Sequence, residues 1–153
     1  MPPTFLPVLK RGRPDSLRKG PTMKNLLILT AVIEAGAGLV FVVLPSAAVK
    51  LLFGSSLDAP AALMVGRLTG AALITLGVAC WLACLDVNSR AATGLVAAML
   101  LYNLAALAIL ASAAVSLGLV GVLLWLGVVL HSAMALWCLA CLRIRRINTD
   151  NEK

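Results

Sequence analysis

Charge is what this chain has least of. Only 12% of its 153 residues are charged, against roughly 25% in soluble domains. The deficit is also localised. Between Leu26 and Leu142 the formally charged residues are Glu34, Lys50, Asp58, Arg67, Asp86 and Arg90, and from Ala91 to Leu142 there is none. Histidine occurs once, as His131. There is no phosphate-binding loop, no H-E-x-x-H and no G-x-S-x-G, which excludes the common soluble catalytic signatures. The glycines of Glu34-Ala35-Gly36-Ala37-Gly38 imitate a nucleotide loop only superficially, because they lie inside an apolar run with no strand before it.

What fills the chain instead is hydrocarbon. Hydrophobic residues make up 61% of it, and the mean hydropathy is +1.02. A membrane span needs about 20 mostly apolar residues, or about 30 Å at about 1.5 Å per residue. The sequence predicts an all-α fold, an integral membrane four-helix bundle in one domain over 23–143. Its spans are expected over about 26–44, 60–85, 91–115 and 118–142. A short helix lying in the membrane interface is expected after span one, from Ser46 to Phe53 and closed by Gly54. Asp58 and Ser89 are the expected helix caps, with Pro60 in a first turn. Residues 1–22, with five prolines among basic residues, read as a disordered tail, and 144–153 as a polar tail. Met23 is an alternative start to Met1.

The net charge of +7 does not indicate nucleic acid. Lys10, Arg11, Arg13, Arg18, Lys19 and Lys24 precede Ile28, and Arg143, Arg145 and Arg146 follow the last apolar run. Basic residues flanking hydrophobic spans mark the cytoplasmic side. A bacterial plasma (inner) membrane, crossed four times with both termini cytoplasmic, is the expected location. The Asp86–Arg90 turn is then inside, and the segment from Pro45 to Ala59 outside. The expected partners are the lipid bilayer and either further copies of the chain or another membrane protein.

Each apolar stretch carries one conspicuous polar residue near its middle: Glu34, Arg67, Asn103 and His131. Such residues are expensive at bilayer depth and usually face a bundle interior or a cavity. Their convergence predicts a buried polar site, joined by Tyr102, that binds a small amphipathic ligand or serves assembly. A non-enzymatic role is expected. A Glu34–Arg67 ion pair would neutralise two costly groups and fix helix register; alternatively the residues bind or move a proton, or Arg67 snorkels outward. His131 is the obvious protonation switch, or else a neutral imidazole hydrogen-bonded within the bundle. On span two, Gly66, Gly70 and Gly77 lie on a stripe of small residues of the kind that lets helix backbones approach. Dimerisation through the Gly66–Gly70 face is one use of it.

Four cysteines, Cys80, Cys84, Cys138 and Cys141, fall near the cytoplasmic ends of spans two and four. They read chiefly as small packing residues, with redox or metal binding as alternatives. A C-x-x-C pair becomes reactive at a helix N-terminus, whereas Cys138 and Cys141 occupy last turns. Trp81 and Trp137 read as interfacial anchors, and Trp125 as a residue packed in the bundle.

The stretches Glu34–Gly38, Gly66-Arg67-Leu68-Thr69-Gly70-Ala71, Leu101-Tyr102-Asn103 and His131 leading to Trp137-Cys138 resemble a group of small, uncharacterised bacterial four-helix membrane proteins. In size and topology the chain is similar to the DoxX-like membrane proteins, some of which are linked to quinone or thiol redox chemistry. That second resemblance implies an alternative function: a membrane redox component whose pocket holds a quinone and whose cysteines exchange electrons.

Overall fold

The computed structural model describes residues 22–150, without the side chains of 148–150. The tail expected over 1–22 lies outside the described residues apart from Thr22, as do 151–153. Five helices follow in order: α1 (Met23–Val43), α2 (Pro45–Phe53), α3 (Pro60–Ala83), α4 (Arg90–Leu117) and α5 (Leu124–Asp150). Four of them, all but α2, are long and apolar enough to cross a membrane.

The helix ends follow local chemistry. Thr22 caps α1 by accepting from the Asn25 amide at 3.4 Å, and Ser89 caps α4 by accepting from the Ala92 amide at 3.0 Å. Proline at N1 needs no donor and starts both α2 and α3. Asp58 is not the cap expected for α3. Ala59 holds that position without a side-chain bond, while Asp58 accepts from the Ser56 hydroxyl at 3.1 Å. Gly54 ends α2 and Gly118 ends α4, both in the left-handed region at φ 75 and 62, where side chains other than glycine are strained.

Two boundaries differ from expectation for identifiable reasons. The last helix starts at Leu124, not 118, because the chain after Gly118 first docks on α2. There the Gly121 and Leu123 amides donate to the Leu52 and Leu51 carbonyls at 3.1 and 2.9 Å. A Cβ at Gly121 would meet the Leu51 oxygen at 2.3 Å, so only glycine permits this approach. Nor does α5 stop at Arg143; it continues to Asp150. Arginine ends an apolar span but is a good helix former, so the expected polar tail is helical as far as it is described. With the later start, Trp125 becomes the second residue of α5 and is 56% exposed. It does not pack in the bundle.

Helix α1 packs chiefly against α3, and α4 against α5. The two pairs meet in a core built from the starts of α1 and α4 and the ends of α3 and α5. Leu26, Leu27, Cys80, Val96, Met99 and Cys138 lie at its centre. Arg145 closes this end of the bundle. Its guanidinium donates to the carbonyls of Val87, at 2.7 Å, and of Asn88 in the α3–α4 turn. The other end carries α2 and the α4–α5 connection, and there the pairs separate around a cavity.

Candidate functional site

The site lies where the filled core gives way to that cavity. Glu34 comes from α1, Tyr102 and Asn103 from α4, and His131 from α5. Glu34 sits nine residues before the end of α1 and His131 seven after the start of α5. At about 1.5 Å per residue both lie roughly 10–14 Å below the α2 end. Antiparallel neighbours thus bring them to one level.

Glu34 is only 6% exposed and Asn103 only 2%. The Tyr102 hydroxyl donates to Glu34 Oε2 at 3.4 Å. The Tyr102 ring meets His131 edge to face, with centroids 5.8 Å apart and planes at 78°. His131 Nδ1 lies 2.9 Å from Asn103 Oδ1, and Asn103 Nδ2 donates to the Met99 carbonyl at 2.8 Å. This last bond fixes the others. A carbonyl can only accept, so the amide nitrogen must face Met99 and Oδ1 must face the imidazole. Nδ1 therefore carries a proton, and in the neutral ring Nε2 is the acceptor.

Glu34, Tyr102 and His131 floor a cavity of about 490 Å³. Its walls are apolar, with Phe41 and Leu73 on one side and Ile109 and Leu126 on the other, and Leu51 and Leu52 of α2 contribute at the far end. Small residues account for the void. Ala37, Ala106 and Gly127 all line it, and each lies one turn from Glu34, Tyr102 or His131 toward the α2 end. That relation was present in the sequence as a small residue three or four places from each polar one. Thr69 also lines the cavity and was not singled out beforehand. Its hydroxyl is occupied within α3, donating to the Val65 carbonyl at 2.9 Å.

Arg67 does not join the others. It is exposed, and the partner of Glu34 is Tyr102, so the expected Glu34–Arg67 pair is absent. Helical register explains this. Positions two apart are about 200° apart around a helix, so Thr69 on the cavity puts Arg67 on the opposite side. Arg67 lies on the outer surface of the helices, away from the cavity.

Gly66, Gly70 and Gly77 are buried, but inside the chain. A Cβ on Gly70 would meet the Gly38 carbonyl oxygen at 2.6 Å, one on Gly77 the Ala31 oxygen at 2.9 Å, and one on Gly66 the Pro45 side chain at 2.9 Å. The Gly66–Gly70 face is consumed by α1 and α2 and is not open for dimerisation.

The four cysteines are buried, and none is in a disulfide. They belong to the core at the opposite end, and none lines the cavity. Cys84 Sγ donates to the Trp81 carbonyl at 3.0 Å. Among the described residues no group of three or more His, Cys, Asp or Glu is placed to hold a metal ion.

No protein-family model matches the chain, and neither a curated protein nor a solved structure matches it significantly.

Proposed function

We propose that this is a multi-pass protein of a bacterial plasma membrane, with both termini cytoplasmic, which binds a small amphipathic molecule without transforming it. The observation that carries the proposal is the cavity: about 490 Å³ of space with apolar walls and a polar floor. Ligand sites typically enclose about 300–1,000 Å³ and combine mostly apolar lining with a few placed polar groups. A void floored by three polar side chains is also a poor way to stabilise a bundle, since unfilled space forfeits packing.

The membrane setting is supported by the four apolar helices and by large aliphatic side chains exposed on all of them, among them Val32, Leu68, Leu101 and Leu136. In water such surfaces would aggregate. The basic residues around both termini support the orientation, which places α2 at the outer interface.

Native mass spectrometry of the gently purified protein tests the reading. A retained small molecule is expected on the wild type and is lost in Ala106→Phe, whose ring projects into the cavity beside Tyr102. Wild-type and Ala106→Phe proteins that carry the same ordinary lipids, and nothing else, would show the cavity to be structural.

A further inference from the structure

The polar atoms facing the cavity have already spent their protons. Tyr102 donates to Glu34, and Thr69 donates to the Val65 carbonyl. His131 gives its Nδ1 proton to Asn103 Oδ1, and the Asn103 amide nitrogen donates to the Met99 carbonyl. What remains toward the cavity is a set of acceptors: the Glu34 carboxylate oxygens, the lone pairs of the Tyr102 and Thr69 hydroxyls, and His131 Nε2 in the neutral ring. No lysine or arginine lines the cavity, so the carboxylate has no counter-charge there.

A buried carboxylate without a cation is costly, so the group either takes up a proton or is met by a cation. A ligand made only of acceptors, such as a benzoquinone, would set its carbonyls against the ionised carboxylate and the other acceptors and supply no charge. A fatty acid would set a second carboxylate against Glu34. Resting on the reading of the cavity as a binding site, we propose that its ligand is a lipophilic amine. The protonated nitrogen donates to Glu34 and His131 Nε2, and the apolar body occupies the space between Ala37, Ala106 and Gly127. Glu34 supplies charge, His131 and Tyr102 supply direction, and the small residues supply room. No thiol takes part.

The test compares ligands of one tail length and different heads. Decylamine, decanol, decanoate and a short-chain benzoquinone are titrated calorimetrically into the protein in nanodiscs of zwitterionic phospholipid, with empty nanodiscs as the baseline for partition. Decylamine is expected to bind saturably and at least tenfold more tightly than the other three. Glu34→Gln should weaken it at least tenfold, Glu34→Asp should retain it, and Ala106→Phe should abolish it; thermal unfolding of each variant checks that it is folded. Tighter binding of the quinone or decanoate, abolished by Ala106→Phe, would overturn the amine assignment and leave the cavity as a binding site. Decylamine binding unchanged in Glu34→Gln would do the same. Absence of saturable binding by all four would overturn both.

Discussion

Gly38 and Gly70 face each other across α1 and α3 so closely that a Cβ on either would lie 2.6 Å from the carbonyl oxygen of the other. Both glycines are buried. Two helices can approach this far only where neither carries a side chain, so this contact sets the spacing of the pair that holds Glu34. Gly70→Ala or Gly38→Ala is expected to cost about 1–3 kcal/mol, the usual penalty of overpacking. Gly36→Ala, where a Cβ would meet nothing within 4 Å, should be neutral or slightly stabilising. Thermal unfolding in detergent separates them, and equal behaviour of all three variants would remove the close approach.

Arg67→Gln should leave stability within about 0.5 kcal/mol of wild type, as exposed substitutions usually do. Breaking a buried ion pair costs about 3–5 kcal/mol. A loss of that size in the same unfolding assay would put Arg67 back beside Glu34.

Asn103→Leu takes away the acceptor of His131 Nδ1 and should cost about 1–3 kcal/mol through the unsatisfied donor. The readout specific to this bond is the nitrogen NMR of the single histidine. Wild type should show a protonated Nδ1 at neutral pH, and Asn103→Leu a mixture of tautomers. A protonated Nε2 in the wild type would contradict the assigned network.

Arg145 ties the end of α5 to the α3–α4 turn through backbone carbonyls. Hydrogen bonds to charged groups contribute about 1.5–3 kcal/mol, and Arg145→Ala should approach that loss. Arg145→Lys should not recover it, because an ammonium lacks the planar fork. Full recovery in unfolding experiments would reduce the contact to simple charge.

Orientation is tested by labelling. In a background lacking the native cysteines, Ser56→Cys should react with an impermeant thiol reagent in intact cells and Asn88→Cys should not. The opposite pattern would invert the topology.

Much of this was legible in residue order. Apolar runs broken by Pro45, Pro60 and the Asp86–Arg90 turn define the long helices, because proline and polar turns interrupt a helix that otherwise satisfies its own backbone. Ser89 as a cap and Gly54 as a terminator are local chemistry, read from a few neighbours. The start of α5 was not local. It depends on Leu51 and Leu52, whose carbonyls capture the Gly121 and Leu123 amides from some seventy positions away.

By itself, then, the sequence determined that the protein has four long apolar helices, that Glu34, Asn103 and His131 sit near the middle of their apolar runs, and that small residues lie on their faces. Composition and helical period are enough for that. Only the tertiary structure decided that α1 pairs with α3 and α4 with α5, that Tyr102 rather than Arg67 partners Glu34, and that the two pairs enclose a cavity. These depend on rotation of each helix about its axis, which for α1 and α3 close packing at Gly38, Gly70 and Gly77 settles. A turn of about 100° per residue is what puts Thr69 on the cavity and Arg67 on the opposite side.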